Sequence, residues 1–271
     1  MHLLRYHQVT EHGDSGPTML YSHGFGCDQS MFRFLVEDFS RDHRCVTYNL
    51  AGTGGTDPAL YRRERYRNLQ GYADDAIAIC EELGLSEVIH VGHSVSAMIA
   101  LLAARKRPDL FSALIMIGPS PRYINDGDYY GGFSAADIEE LLEVMDHNYL
   151  GWARQMAPSI MANAERPKLG TELGDRFCEV NPSIAKFFAR VTFTSDNRAD
   201  LPLVEHPTLI LQCTEDIIAP EAVGRYVHQQ MPNSTFVLLD ARGHCPNLSE
   251  PARTASAMRG FLQQQPTPEP A

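Results

Sequence analysis

Short apolar segments alternate with helical patterns along most of this chain, and this alternation constrains the fold more than any other feature. The apolar segments are rich in β-branched and large side chains and carry few charges, as strands buried on both faces do. Helical patterns lie between several of them, at residues 69–84 and 220–231, and another follows the last one, at residues 250–264. This order predicts an α/β fold, with a mostly parallel sheet flanked by helices. The predicted strands are residues 18–24, 45–50, 87–93, 112–118, 208–213 and 234–240.

One long segment interrupts the alternation. Residues 119–203 contain no strand pattern, and helical stretches take its place. A helical insertion between two strands of one sheet predicts a lid. We therefore expect a core of residues 1–118 and 204–264, a helical cap of residues 119–203, and a disordered, proline-rich tail of residues 265–271. The predicted helical stretches of the cap are residues 134–150, 151–164, 172–180 and 182–193.

Charge and motifs argue against several classes of function. The net charge is −11, and an acidic surface repels nucleic acid and anionic membranes. No segment has the length of a membrane span, and the N-terminus lacks a secretory pattern. The six scattered cysteines contain no CxxC pair, which predicts free buried thiols in a reducing cytoplasm. The chain has no HExxH motif, no Cys/His cluster and no phosphate-binding glycine fingerprint, so we expect no metal and no cofactor.

The most informative short segment is Gly92-His93-Ser94-Val95-Ser96, which joins a predicted strand directly to a run of helix-forming residues. So abrupt a turn exposes its middle residue, and its usual form is Gly-x-Ser-x-Gly, the nucleophile elbow. Ser96 replaces the second glycine. The motif therefore fits if a small side chain suffices where the helix passes the neighbouring strand. Taken alone, Ser94 is equally compatible with a residue that caps the helix.

Two further strand ends carry the partners that a nucleophilic serine needs. Asp216 follows the strand at 208–213, with Glu215 as the competing carboxylate and helix capping as the alternative role. His244 follows the last predicted strand. The order Ser, Asp, His, each at the carboxyl end of a strand, is that of an α/β-hydrolase triad. This agreement favours Ser94 as the nucleophile.

The first predicted strand is followed by the loop His23-Gly24-Phe25-Gly26. Two glycines around one residue allow a backbone N–H group to point into a cavity. Acyl transfer needs two such donors beside the nucleophile, and here they would be Phe25 and Val95. A tight turn that needs glycine for its backbone angles is the alternative, and these residues alone leave it open.

Longer segments resemble the RsbQ-type α/β-hydrolases, which include a bacterial stress-signalling regulator and the plant karrikin and strigolactone receptors. The resemblance covers nearly the whole chain, and GHSVS in place of GxSxG is typical of the group, which accounts for Ser96. Asn49 departs from the Asp that relatives commonly carry, which leaves the contacts of that turn open. The segments are HGFGCDQSMF (23–32), GHSVSAMIA (92–100), GPSPRYINDGDYYGGF (118–133), QCTEDIIAP (212–220) and ARGHCPNLS (241–249).

The resemblance implies specific site residues and a specific cap. The cap would consist of four helices in two V-shaped pairs, inserted after the sixth strand. The implied triad is Ser94, Asp216 and His244, with Phe25 and Val95 as the oxyanion donors. From sequence alone, the aromatic residues of the implied pocket would more often belong to a plain core. That implied pocket comprises Phe25, Phe133, Leu142, Trp152, Met156, Phe193 and Ile217.

The sequence therefore predicts a serine hydrolase that cleaves a small apolar ester or lactone, such as a butenolide. Ser rather than Asp as the nucleophile argues against dehalogenase and epoxide-hydrolase chemistry. The resemblance further implies slow hydrolysis and a role as a ligand sensor with a signalling partner protein, as in a stress response. The alternatives are a metabolic carboxylesterase and a carbon–carbon bond hydrolase, neither with a signalling role.

Overall fold

The computed structural model describes residues 2–265, which build a seven-stranded sheet with helices on both faces. The strands are β1 (Thr10–His12), β2 (Thr18–Ser22), β3 (Arg44–Thr47), β4 (Val88–His93), β5 (Phe111–Ile117), β6 (Thr208–Glu215) and β7 (Ser234–Arg242). Their order in the sheet is β1-β3-β2-β4-β5-β6-β7, and every neighbouring pair is parallel except β1 and β3. The predicted α/β fold is confirmed. The sequence does not predict β1, because its three residues are exposed and lack an apolar pattern.

Helices cover both faces of the sheet. Consecutive residues of β2 show how the core divides: Leu20 packs into one hydrophobic cluster, whereas Met19 and Tyr21 pack into the other. The helices are α1 (His2–Tyr6), α2 (Arg33–Phe39), α3 (Gln70–Glu82), α4 (Val95–Lys106), α5 (Ala135–Met161), α6 (Pro167–Glu179), α7 (Pro182–Phe193), α8 (Glu221–Gln230), α9 (Pro246–Ser249) and α10 (Pro251–Leu262), with 3-10 turns at Gln29–Phe32, Pro58–Leu60 and Arg198–Leu203. Helices α3 and α4 contribute to the Leu20 side, and α2 and α10 to the Met19 side.

The helical insertion contains α5, α6 and α7 and follows β5. It therefore follows the fifth strand and not the sixth, because residues 2–87 form three strands. Helix α5 breaks at Asn148, where φ is −149° and ψ is 75°, so four helical segments are present, as expected. Asn148 Oδ1 accepts a hydrogen bond from the Gly151 N–H group at 3.0 Å, which caps the second segment and fixes the break.

Asn49, the departure from Asp, connects three segments of the chain. Its Nδ2 donates to Gly54 O at 2.8 Å and to Gln8 Oε1 at 2.9 Å. Its Oδ1 accepts from the Gln29 N–H group at 2.9 Å. A carboxylate has no donor and could not make the first two bonds. The turn after β3 is therefore built around an amide in this chain.

The six cysteines are free thiols, as predicted, and all except Cys178 are buried. Within residues 2–265, no helix has the length and apolar character required to span a bilayer. The tail predicted to be disordered, residues 265–271, lies outside the described residues except for Gln265.

Candidate active site

Ser94 is the single residue between β4 and α4, and its backbone has φ 58° and ψ −126°. Positive φ is uncommon for a residue other than glycine and marks a strained turn. The turn requires Gly92, where a Cβ would lie 2.2 Å from Ser96 O. Ser96 is fully buried and its hydroxyl donates to His23 O at 2.5 Å, so a small side chain suffices there. Ser94 makes no capping hydrogen bond, so the capping interpretation is wrong.

A chain of hydrogen bonds connects Ser94 to a buried carboxylate. Ser94 Oγ lies 2.7 Å from His244 Nε2, and His244 Nδ1 lies 2.7 Å from Asp216 Oδ2. Because a carboxylate only accepts, Nδ1 carries the proton and Nε2 accepts from the serine hydroxyl. Asp216 Oδ1 accepts from the N–H groups of Ile218 and Ala219, at 2.8 and 3.0 Å. The arrangement can transfer the serine proton to the imidazole.

Glu215, the competing carboxylate, points away from this chain of hydrogen bonds. Its side chain is 65% exposed and lies 3.3 Å from Arg242 Nε. Asp216, one residue later, is buried and contacts His244. Successive side chains of an extended segment point to opposite sides, so only one of the two carboxylates reaches the imidazole.

Three strands bring these side chains together, since Ser94 follows β4, Asp216 follows β6 and His244 lies just beyond β7. The strand between β4 and β6, which is β5, is followed directly by Gly118, which has φ 58°. A Cβ at Gly118 would lie 3.1 Å from His244 Cε1. The His244 N–H group donates to Ile160 O at 2.9 Å. The histidine is therefore held by the sheet on one side and by α5 on the other.

His93 links β4 to the loop that carries His244. Its Nε2 donates to the backbone oxygen of His244 at 2.7 Å, and the two ring centroids are 5.1 Å apart. Burial lowers the pKa of His93 to about 3, so the ring is neutral near pH 7. Its Nδ1 is buried without a partner among the described residues. No local sequence pattern predicts this contact.

The glycine loop after β2 runs alongside Ser94. A Cβ at Gly24 would lie 3.3 Å from Ser94 Cβ, which places the backbone of Phe25 beside the serine. The Cys27 N–H group closes the turn on Gly24 O at 3.3 Å, so the tight-turn interpretation also holds. Val95 begins α4, and the first N–H groups of a helix have no acceptor within the helix. Phe25 and Val95 thus present two backbone donors near Ser94.

A cavity of about 40 Å³ lies between Ser94 and the helices of the insertion. This volume holds only a few water molecules. Four of the predicted pocket residues line it: Phe25, Trp152, Met156 and Phe193. The other lining residues are Gly24, Cys27, His93, Ser94, Tyr123, Leu141, Ile160, Leu173, Phe177, Thr192, Ile218, His244 and Cys245.

Three of the predicted pocket residues do not line the cavity. Ile217 is 50% exposed, and Ile218 lines the cavity instead. Leu142 is buried in the core, and Leu141 takes the lining position. Phe133 packs, partly buried, against the main hydrophobic cluster. A step of one residue turns a side chain by about 100° in a helix and to the opposite side in an extended segment. Errors of one position therefore account for Ile217 and Leu142, whereas no neighbour of Phe133 lines the cavity.

Tyr123, which the sequence interpretation missed, lies beside Ser94 and is fully buried. Burial raises the pKa of its hydroxyl, and the nearby Ser94 hydroxyl opposes part of that increase. Its ring centroid is 5.1 Å from that of Phe193 on α7. Tyr123 lies in a loop without helical or strand periodicity, so no pattern points to it.

Comparisons with known proteins give consistent results. The family described as "Alpha/beta hydrolase family" matches residues 19–257. "Probable esterase D14L" of Oryza sativa subsp. japonica is 40% identical over 245 residues, covering 90% of each chain. "Karrikin insensitive 2 receptor CA" of Petunia hybrida is 39% identical, covering 90% of this chain and 91% of the relative. The solved structure of a hydrolase from Oleispira antarctica has a TM-score of 0.94 at 37% identity and covers 97% of both chains.

Proposed function

This chain belongs to the alpha/beta hydrolase family, and we propose that it hydrolyses a small apolar ester or lactone with Ser94, His244 and Asp216 as its catalytic triad. Ester hydrolysis agrees with relatives and solved structures that are named esterases. The observation that carries the proposal is the unbroken chain of hydrogen bonds, 2.7 Å at each step, from the Ser94 hydroxyl to a buried carboxylate.

The proposed mechanism follows from this geometry. His244 Nε2 takes the hydroxyl proton while Ser94 Oγ attacks the carbonyl carbon. Asp216 holds the imidazole in the required tautomer and stabilises its cation. The N–H groups of Phe25 and Val95 bind the oxyanion, each contributing roughly 3 kcal/mol to transition-state stabilisation. His244 then protonates the leaving oxygen, and water, activated by the same imidazole, releases the acyl group.

The walls of the cavity support a substrate that is small and mainly apolar. Phe25, Trp152, Met156 and Phe193 line the cavity. Aromatic walls of this kind favour apolar acyl groups and flat rings, because they gain free energy when they exclude water.

Covalent labelling tests the nucleophile. A fluorophosphonate probe should modify the wild-type protein at Ser94, and Ser94→Ala should lose the label together with esterase activity. The matched control is Ser120→Ala, a buried serine after β5 whose hydroxyl donates to Arg122 O at 3.1 Å. Labelling that persists in Ser94→Ala, at the same rate as in the control, would refute the triad.

A second candidate, a ligand sensor that hydrolyses slowly, is favoured by the relatives named karrikin insensitive 2 receptors. A sensor must change shape on binding, and the helical insertion, which lines the cavity, is the part of the chain in position to do so. We expect a butenolide to alter hydrogen exchange across residues 134–193, with a kcat well below the typical enzyme value of about 10 s⁻¹. Fast turnover, with no change in hydrogen exchange when the butenolide binds, would reject the sensor and favour a metabolic esterase.

A further inference from the structure

Thr192 lines the cavity, and its buried hydroxyl has no hydrogen-bond partner among the described residues. The residue lies in α7 and is 1% exposed. Its Oγ1 has no hydrogen-bond partner among the described residues. Thr192 lines the same cavity as Ser94, next to Phe193. A buried hydroxyl without a partner loses its hydrogen bonds to water and destabilises the fold, so this one is either satisfied by a bound molecule or reduces stability.

The helical position of Thr192 does not explain the missing partner. A threonine in a helix normally donates to the carbonyl four residues earlier. Thr194 does so, donating to Arg190 O at 2.7 Å, and Thr171 donates to Pro167 O at 3.3 Å. Thr192 does not make the equivalent bond, although its own carbonyl accepts from the Ser195 hydroxyl at 2.8 Å. The helix backbone therefore does not satisfy its hydroxyl.

The surroundings of Thr192 limit what that ligand can be. Leu141, Leu173 and Phe177 give the cavity apolar walls, so they offer a polar ligand atom no partner. An oxygen placed among these residues alone would lose its hydrogen bonds to water and bind poorly. Next to Thr192, the same oxygen accepts a hydrogen bond from the Thr192 hydroxyl, which thereby gains a partner.

We propose that Thr192 is a specificity-determining residue that selects esters or lactones carrying a second oxygen acceptor, an ether or carbonyl, beyond the scissile group. The inference rests on the proposed hydrolase function. The Thr192 hydroxyl donates to that second oxygen, while Ser94 attacks the scissile carbonyl. A site built to hydrogen-bond a substrate discriminates against the analogue that lacks the polar atom, because its own polar group is then left unpaired.

Matched substrates measure this selection directly. The probes are p-nitrophenyl pentanoate and two analogues in which one methylene becomes an ether oxygen, p-nitrophenyl 3-methoxypropanoate and p-nitrophenyl 2-ethoxyacetate. The two oxygen positions sample two distances from the scissile carbonyl. Each kcat/KM is divided by the rate of alkaline hydrolysis of the same ester, which removes the inductive effect of the oxygen.

The variants separate the hydroxyl from the shape of the side chain. Thr192→Val removes the hydroxyl at nearly constant volume, and Thr192→Ser keeps it. Thr194→Val, which removes a hydroxyl bonded within the helix, is the matched control. For at least one ether ester, we expect the corrected preference over pentanoate to fall about 10-fold in Thr192→Val. Thr192→Ser and Thr194→Val should retain this preference.

The outcomes distinguish failure of this inference from failure of the proposed function. If Thr192→Val hydrolyses all three esters with the wild-type preference, the selection is refuted while the hydrolase function stands. A fall in preference that Thr194→Val shares equally would also refute it. If the wild-type protein hydrolyses none of the three esters and Ser94 is not labelled by fluorophosphonate, the hydrolase function itself fails, and the inference fails with it.

Discussion

Gly118 offers the sharpest test of how the histidine is held. Replacing it with Ala adds one methyl group at a position with φ 58°, 3.1 Å from His244 Cε1 and 3.2 Å from its Nδ1. Ordinary contacts of a Cβ are 3.4–4 Å, so the imidazole must move back by a few tenths of an ångström. That movement disturbs both 2.7 Å hydrogen bonds of His244, to Ser94 and to Asp216.

Two effects of Gly118→Ala have to be separated. The left-handed backbone costs a residue with a Cβ about 1 to 2 kcal/mol of stability. Because a misplacement of about 1 Å can cost 10²-fold in rate, a few tenths of an ångström should lower kcat by about 3- to 30-fold. Gly84→Ala is the matched control, since Gly84 has φ 63° and no heavy atom within 4 Å of the added Cβ.

Stability is measured by urea unfolding and activity by kcat with p-nitrophenyl acetate. Both variants should lose about the same free energy of unfolding, whereas only Gly118→Ala should lose kcat. Equal kcat values for the two variants would mean that the close approach to His244 has no catalytic consequence, and the reasoning would be refuted.

Two further predictions concern the choice of acid and the response to pH. Asp216→Asn should lower kcat about 10⁴-fold, because an amide favours the wrong imidazole tautomer. Glu215→Gln should change kcat only slightly, since the Glu215 side chain is exposed beside Arg242. The reverse pattern in steady-state kinetics would assign the role of the acid to Glu215. Burial lowers the pKa of both His90 and His93 from 6.5 to about 3. Between these values the unfolded chain binds protons that the folded chain excludes, so stability is complete above pH 6.5 and falls as the pH falls towards 3, by up to about 1.4 kcal/mol per histidine and pH unit. Urea midpoints at pH 7.5, 6.0 and 5.0 measure this loss, and a constant midpoint would contradict it.

The parts of the molecule that the sequence predicts are those governed by local patterns. Strand-like runs and helical periodicity are local, so they locate the sheet and the insertion. A strand that runs directly into a helix places Ser94 at a sharp corner, and the ends of two later strands place Asp216 and His244. Since the carboxyl ends of parallel strands meet at one edge, these positions meet once the sheet forms.

The parts that the sequence does not predict depend on which way individual side chains point after packing. Ile217 and Ile218 differ only in orientation, and composition cannot separate them. The unpaired hydroxyl of Thr192 is visible only once the neighbouring helices are in place. The contacts of His93 and Tyr123 join segments that are distant in the chain, so no periodicity records them.

The hydrogen bond from the His244 amide to Ile160 O has a consequence for engineering chimaeras. A Cβ at Gly243 would lie 2.0 Å from Met161 O, and Asn163 Nδ2 donates to Met161 O at 2.6 Å and to the carbonyl of the residue before Gly243 at 3.2 Å. The end of α5 is thus shaped to this one loop. A foreign lid grafted across that junction would have to place its backbone carbonyl groups in the same positions, whereas a graft that retains the host residues from Ile160 through Asn163 keeps the fit. Lid exchange between such enzymes is therefore best planned around this splice point rather than around the ends of the insertion.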